Sequence, residues 1–186
     1  MCFFVCRQAN CLHFLLEEAM KIRFLTHGAL IAALYVALTH LQNFLIQGSA
    51  SWAIQFRASE ALCVLAFFTP AAIPGLTLGC LLFNLSFVGA LPLDFLVGSL
   101  ATLLATAGMY AFRNIKIKKY PLLGLTLPAL TNAILVGWEL SVYIGGGLWL
   151  NALYVAIGEL AVLFTLGTAL YYTIISRNLD KRLFGA

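Results

Sequence analysis

The stretch LTHGALIAALYVALTHLQNFLI, residues 25–46, contains no aspartate, glutamate, lysine or arginine. About 20 consecutive apolar residues are needed for a helix to cross the hydrocarbon core of a bilayer, so this stretch predicts a membrane span. The whole chain has 186 residues, of which 62% are hydrophobic and only 10% are charged. A typical soluble domain is about 45–50% apolar and about 25% charged. The composition therefore indicates an integral membrane protein and argues against a soluble enzyme, a nucleic-acid-binding module or a disordered chain.

Apolar runs separated by proline, glycine and charged residues predict five further spans within one membrane domain at residues 20–182. They are expected near residues 52–69, 71–90, 93–113, 121–143 and 148–175. The apolar run 59–69 is only about 17 Å long as a helix, too short for a hydrocarbon core of about 30 Å. We expect this helix either to begin earlier, near Trp52, or to be a partial span shielded by its neighbours. The predicted fold is an all-α bundle of six transmembrane helices.

The first 19 residues stand apart from this pattern. The segment MCFFVCRQANCLHFLLEEA, residues 1–19, lacks the basic start and the small-residue cleavage site of a signal peptide. Met20 resembles the usual start of a polytopic protein, so the preceding segment is expected to be a poorly ordered extension or a misassigned start. Its three cysteines and one histidine match no familiar zinc spacing. We expect no metal site and no cofactor.

Positive charge is distributed unevenly between the predicted loops. Six spans place both termini on one side, and that side collects nearly all the basic residues: Lys21, Arg23, Arg113, Lys116, Lys118, Lys119, Arg177, Lys181 and Arg182. The loops of the opposite side carry only Arg57. Because cytoplasmic loops are enriched in lysine and arginine, the N and C termini are expected in the cytoplasm.

Charged side chains within the predicted spans are candidates for function. Each costs about 2.5–3.5 kcal/mol at the centre of a membrane helix, so such residues are rarely kept without a role. The candidates are Arg57, Glu60, Glu139 and Glu159, together with the amides Asn84, Asn132 and Asn151. Mapped onto the spans, they fall in the outer half of the membrane, while the cytoplasmic half is almost entirely apolar. This asymmetry predicts a pocket open to the outside and argues against a continuous pore or proton wire.

The charges of this predicted pocket indicate its ligand class. Three glutamates against one arginine favour a ligand with a positive group or several hydrogen-bond donors, and a guanine-type edge matches one carboxylate through adjacent N–H donors. Trp52, Phe56 or Trp138 is a candidate to stack on a flat ring, with interfacial anchoring as the alternative for each. Arg57 and Glu60 are three residues apart, so a mutual ion pair is the structural alternative for them.

Small residues recur along two of the predicted spans. Ala29, Ala33 and Ala37 form a stripe at four-residue spacing in the first span, which lets another helix approach closely. A partner interface and internal packing both explain this stripe, whereas internal packing is favoured for the pair Gly75 and Gly79. The chain has no HExxH, P-loop or nucleotide-binding glycine motif. We therefore do not expect this protein to be an enzyme. Any ATP hydrolysis that drives transport must come from another subunit.

Two longer runs resemble the QueT family. They are IQFRASEAL at residues 54–62, which continues to FTPAAIPGL at 68–76, and WLNALYVAIGE at 149–159. The resemblance extends over about residues 20–177. The family consists of substrate-binding S components of energy-coupling factor (ECF) transporters, proposed to import queuosine precursors. It implies a six-helix S component in the bacterial cell membrane, with a ligand site near the outer face that is capped by the first loop.

The resemblance also implies partners and a ligand. The alanine stripe is implied to contact the transmembrane T component, and two cytoplasmic ATPases complete the complex; no nucleic acid is involved. The implied ligand is 7-aminomethyl-7-deazaguanine or a related 7-deazaguanine. One of the three glutamates is then expected to grip the guanine edge and another to meet the aminomethyl group. Arg57 is expected to orient Glu60 or bind the ring carbonyl, and the three asparagines to supply the remaining hydrogen bonds.

Apart from a purely structural membrane protein, which would bind no small molecule, two alternatives to this function remain. One is a stand-alone, ion-coupled carrier of a small cationic or donor-rich solute, in which a glutamate binds a proton and no ATPase partner exists. The other is an S component for a different vitamin. Co-purification of a T component and ATPases distinguishes the first alternative, and a binding screen against vitamins distinguishes the second.

Overall fold

The computed structural model describes residues 2–46, 56–88, 90–117 and 120–185, and these form a helical bundle with no β-strand within those ranges. The helices in chain order are α1 (Cys2–Leu45), a 3-10 helix (Ala58–Phe67), α2 (Ala72–Ser86), α3 (Asp94–Ala111), α4 (Leu122–Tyr143), α5 (Leu148–Val162) and α6 (Thr168–Ser176). One π-helical turn, Leu163–Gly167, joins α5 to α6, and a second, Asp180–Phe184, follows α6.

Four of these stretches are long and apolar enough to cross a membrane: Glu17–Leu45, Asp94–Ala111, Leu122–Tyr143 and Leu148–Ser176. The 3-10 helix and α2 are apolar but shorter. The predicted all-helical membrane fold is therefore confirmed, whereas six full-length spans are not. The predicted span 71–90 is shortened to Ala72–Ser86 because the chain becomes extended at Phe87.

Consecutive helices pack against one another around a central short helix. α1 contacts α2, α2 contacts α3, α3 contacts α4, and α4 contacts α5. The 3-10 helix contacts every one of the helices α1 to α6 and is buried over most of its length. A helix too short to span the bilayer has its ends satisfied only inside protein, which explains the central position. Residues 47–55, including Trp52, lie outside the described residues.

Glycines allow α1 and α2 to pack closely. A Cβ atom added at Gly75 would lie 2.6 Å from the carbonyl oxygen of Gly28. A Cβ atom at Gly79 would lie 2.8 Å from the Cβ atom of Tyr35. Any larger residue at these positions would push the two helices apart, so the predicted internal packing of Gly75 and Gly79 is confirmed.

The two ends of the bundle differ in composition. At one end, here called the acidic end, α2 and α4 finish and α3 and α5 begin, and buried polar side chains lie among them. At the other, here called the basic end, α3 finishes near Arg113 and Lys116 and α4 begins. The interior towards the basic end is filled by a buried apolar cluster that includes Val64, Phe67, Met109, Leu125, Leu163 and Tyr171. Among the described residues, the buried charged side chains therefore lie at the acidic end.

Candidate ligand-binding site

The 3-10 helix carries Glu60 into the interior of the acidic end. Glu60 is 2% exposed, and both of its carboxylate oxygens accept hydrogen bonds. The hydroxyl of Tyr35 on α1 donates to Oε1 at 2.5 Å, and the thiol of Cys63 donates to Oε2 at 3.2 Å. Each carboxylate oxygen of Glu60 therefore already has one partner within the protein, as is usual for buried polar atoms.

Side chains of α1 hold the start of the 3-10 helix in place. The Thr39 hydroxyl donates to the Ser59 hydroxyl oxygen at 2.7 Å. The Gln42 amide nitrogen donates to the carbonyl oxygen of Phe56, and its amide oxygen accepts from the backbone N–H of Ala58. The first N–H groups of a helix have no partner within the helix itself. The Gln42 side chain provides such a partner for the N–H of Ala58, and so helps to position the neighbouring residues Arg57 and Glu60.

Glu159 and Asn132 form a second polar group, on α5 and α4. The Asn132 side-chain nitrogen donates to Oε1 of Glu159 at 2.9 Å, and both residues are buried. The other oxygen of Glu159, Oε2, has no hydrogen-bond partner among the described residues. Glu159 also lies within electrostatic range of Glu60. One carboxylate oxygen is thus held by the protein while the second remains able to accept a bond.

Glu139 and Asp94 form a third group, near the end of α4 and the start of α3. Glu139 is 0% exposed, and neither of its carboxylate oxygens meets a hydrogen-bond partner in the described part of the chain. Its carboxyl group lies within electrostatic range of that of Asp94, which is also buried. Asp94 in turn accepts a hydrogen bond at 2.7 Å from the backbone N–H of Leu91 through Oδ2.

Arg57 links the three groups electrostatically. Its buried guanidinium lies within electrostatic range of Glu60 and Asp94, and it also acts on Glu139 and Glu159. A single cation therefore faces four carboxyl groups from four different helices. The sequence-predicted charged residues, Arg57, Glu60, Glu139 and Glu159, are brought together at one end of the bundle.

The predicted asparagines have different surroundings. Asn132 bonds Glu159, as described above. The Asn84 side-chain nitrogen donates to the carbonyl oxygen of Asp94 at 2.9 Å, whereas its Oδ1 is buried and finds no partner within the described ranges. The Asn151 side-chain nitrogen donates to the carbonyl oxygen of Gly145 at 2.7 Å, in the loop between α4 and α5. The structure therefore gives Asn151 a loop-stabilising contact.

Trp138 lies away from the polar groups. It is 48% exposed and shares an outward stripe of α4 with Leu130, Ile134 and Val142, which are exposed at four-residue intervals. Glu139, the next residue, is on the buried side. Phe56 is also exposed, and Trp52 is outside the described residues. Consecutive residues of a helix point about 100° apart, so Trp138 can face outward although Glu139 faces the interior. The structure therefore does not bring Trp138 together with the carboxylates.

Asp94, Tyr35 and Cys63 belong to the polar groups although the sequence analysis did not include them among the site residues. Asp94 had a signal, since an acidic residue directly after Pro92-Leu93 begins a helix in the same half of the membrane as Glu139. Tyr35 and Cys63 had none, because both residue types occur commonly in apolar spans. Among the described residues, no cluster of three histidine, cysteine, aspartate or glutamate side chains has the geometry to hold a metal ion.

The alanine stripe of α1 faces outward. Ala29, Ala33 and Ala37 are exposed, together with the leucines Leu30, Leu34 and Leu38 beside them. The opposite face of the same helix carries the buried Tyr35 and Thr39, which bond the 3-10 helix. This exposure argues against internal packing, one of the two explanations for the stripe.

The comparisons with known proteins agree with these features. A family model described as QueT transporter matches residues 25–176. The Queuosine precursor transporter QueT of Lactococcus lactis subsp. cremoris (strain MG1363) is 37% identical over 89 residues, which are 47% of this chain and 50% of that relative. The chain thus matches about half the length of that curated relative. No solved structure matches the chain. Because the family match extends over most of the sequence, and the structure has four helices long and apolar enough to cross a membrane, the chain belongs to the QueT transporter family and is a multi-pass membrane protein.

Proposed function

We propose that the protein is the substrate-binding S component of an ECF-type importer for a queuosine precursor. It captures 7-aminomethyl-7-deazaguanine, or a related 7-deazaguanine, from outside the cell and releases it after association with an ATP-driven module. In this proposal the 3-10 helix and α2 count as two of six membrane helices. Both termini are cytoplasmic, so the acidic end faces outward.

The observation that carries this proposal is that the acidic end contains buried hydrogen-bond acceptors without a donor. Both carboxylate oxygens of Glu139, Oε2 of Glu159 and Oδ1 of Asn84 are buried acceptors for which the described residues offer no donor. An unsatisfied buried polar atom costs about 1–3 kcal/mol. A ligand rich in N–H donors offsets that cost on binding. The 7-aminomethyl-7-deazaguanine molecule carries donors on its pyrimidine edge and a cationic amine, so it complements these acceptors.

The apolar cluster below the polar groups supports binding rather than conduction. Phe67 and Tyr171 pack edge to face with ring centroids 5.9 Å apart. Below them, the Tyr120 hydroxyl and the Thr168 hydroxyl lie 2.5 Å apart. A continuous polar pathway needs polar groups along its whole length, and this cluster interrupts one. Release to the cytoplasm then requires a movement of the whole subunit or of its helices, as expected of an S component.

The exposed alanine stripe supports association with a partner in the membrane. Small residues allow close helix–helix packing, which is a main source of association in lipid. We propose that Ala29, Ala33 and Ala37 contact the T component, and that two ATPases provide the energy. The printed name of the Lactococcus relative, a queuosine precursor transporter, is consistent with the proposed cargo.

Calorimetry on the purified full-length chain tests the ligand. The expected result is saturable binding of 7-aminomethyl-7-deazaguanine, weaker binding of guanine and none of common vitamins. Glu159→Gln is expected to weaken binding about 10- to 100-fold, because it removes a charged acceptor from the site. Glu17→Gln, which removes an exposed carboxylate of α1, is the matched control and leaves the affinity unchanged. Binding of a vitamin in place of the 7-deazaguanine would assign a different cargo.

Co-purification tests the mechanism separately. A tagged chain expressed in its own cells is expected to bring down a T component and two ATPases, and uptake is expected to stop when ATP is depleted. Uptake that stops with an uncoupler but continues without ATP would instead show an ion-coupled carrier.

A further inference from the structure

The acidic end places two buried carboxyl groups within electrostatic range of each other. They belong to Glu139 on α4 and Asp94 on α3. Two carboxylates placed side by side repel each other unless a proton or a cation lies between them. Asp94 has a donor in the backbone N–H of Leu91, whereas neither oxygen of Glu139 finds one among the described residues.

Arg57 alone does not neutralise the charges of Asp94 and Glu139. The same guanidinium also lies within electrostatic range of Glu60 and Glu159, so its single positive charge is shared among four carboxyl groups. When all four carboxyl groups are ionised, their negative charge exceeds the positive charge of Arg57, and the excess is greatest where Glu139 and Asp94 adjoin. A ligand that brings a cation to this place is favoured over a neutral ligand of the same shape.

We propose that Asp94 and Glu139 form an ammonium subsite that binds the aminomethyl nitrogen of the ligand, while Glu159 and Asn132 bind the edge of its ring. This inference rests on the proposed function and divides its site into two parts. A primary ammonium group has three N–H donors, enough for both oxygens of Glu139 and one of Asp94. The subsite makes the protein selective for the amine-bearing 7-deazaguanine over neutral analogues.

The spacing along α4 suits this division. Asn132 and Glu139 are seven residues apart, almost two turns, so they lie on one face and are separated by about 10 Å of helix rise. A bicyclic base with one hydrogen bond of about 2.9 Å at each end has a similar length. Glu60 takes no part, because both its oxygens already accept bonds from Tyr35 and Cys63.

The test is a comparison of two ligands and three variants by calorimetry on the full-length protein. The ligands are 7-aminomethyl-7-deazaguanine and 7-methyl-7-deazaguanine, which share the ring and differ in the amine. For the wild type, the amine ligand is expected to bind at least about 10-fold more tightly, as charged hydrogen bonds predict. Asp94→Asn and Glu139→Gln are expected to reduce that preference to less than about 3-fold while leaving the affinity for the methyl ligand nearly unchanged. Glu18→Gln, an exposed acid, is the control for net charge.

Each other outcome overturns a defined part of the proposal. Equal losses for both ligands would place Asp94 and Glu139 in the fold or at the ring edge, and no loss for either would remove them from the site. If the variants do not fold, a wild type without preference for the amine overturns the subsite by itself. Binding of the methyl ligand that requires sodium, and loses this requirement in Glu139→Gln, would show an inorganic cation site. A wild type that binds no 7-deazaguanine at all would instead refute the proposed function.

Discussion

The acidic end and the basic end of the bundle are built from the same helices but with opposite interiors. At the acidic end, four carboxyl groups and Arg57 occupy the interior. At the basic end, aromatic and aliphatic side chains fill the same helices. Since replacing buried ionic groups by apolar ones is often neutral or stabilising, the charges are not what the fold requires. We therefore propose that the charges of the acidic end serve ligand binding, while the apolar side chains of the basic end contribute stability.

The largest expected effect follows from removing the shared cation of the acidic end. Arg57→Met is expected to lower the free energy of unfolding by about 3–5 kcal/mol, because it leaves buried carboxylates uncompensated. Denaturant unfolding of the purified protein measures this loss. Arg57→Lys, which keeps the charge, is the control and is expected to lose less. If Arg57→Met is as stable as the wild type, the buried carboxyl groups do not depend on Arg57.

A cavity at the basic end should affect stability without affecting binding. Leu125 is buried in the apolar cluster, so Leu125→Ala is expected to cost about 2–5 kcal/mol of unfolding free energy. Its ligand affinity, measured by calorimetry below the unfolding temperature, is expected to stay within a factor of about 3 of the wild type, well below 1 kcal/mol. Leu130→Ala, on the exposed side of the same helix, is the matched control. A parallel loss of affinity would show that the two ends are not separate.

A smaller effect is expected from the support of Glu60. Tyr35→Phe removes the hydroxyl that donates to Glu60 Oε1 and leaves a buried acceptor unsatisfied, at a cost of about 1–3 kcal/mol. Thermal unfolding measures this change. Tyr172→Phe, which alters an exposed tyrosine, provides the comparison. If both variants behave alike, the hydroxyl of Tyr35 has no stabilising role.

The smallest effect on the isolated protein is expected on the outer face of α1. Ala33→Leu adds a side chain at an exposed position, so stability should change by less than about 0.5 kcal/mol, and ligand affinity should not change. Co-purification of the T component is nevertheless expected to be lost. Ala107→Leu, at an exposed position of α3, is the control and should leave the complex intact. A complex that survives Ala33→Leu would place the partner elsewhere.

Sequence patterns were sufficient to predict an all-helical membrane fold and four of the charged residues at the acidic end, but not six full-length spans. Uninterrupted apolar length locates membrane helices, and the energetic cost of a buried charge singles out Glu139 and Glu159. The short run 59–69 indicated either a helix that begins near Trp52 or a partial helix, and among the described residues the structure has the 3-10 helix Ala58–Phe67 there. The length of an apolar run and the charges within it are local properties of the chain, so they can be read from the sequence without knowing the fold.

The partners of these residues could not be predicted, because they depend on how the helices are rotated and placed. Nothing in the sequence shows that Tyr35 and Cys63 occupy both oxygens of Glu60. The pairing of Asp94 with Glu139 likewise joins residues 45 positions apart on different helices. The outward position of Trp138 is different, because the sequence contains a signal for it. Leu130, Ile134, Trp138 and Val142 follow one another at four-residue spacing, which predicts one shared helix face, and all four are exposed.

The position of 7-aminomethyl-7-deazaguanine in an experimental structure of the complex is the most decisive measurement. We predict a ring nitrogen within about 2.7–3.2 Å of Glu159 Oε2, the hydrogen-bonding range. A ligand bound at the basic end, for instance in the cavity of about 350 Å³ lined by Phe68, Arg113 and Lys116, would contradict this prediction.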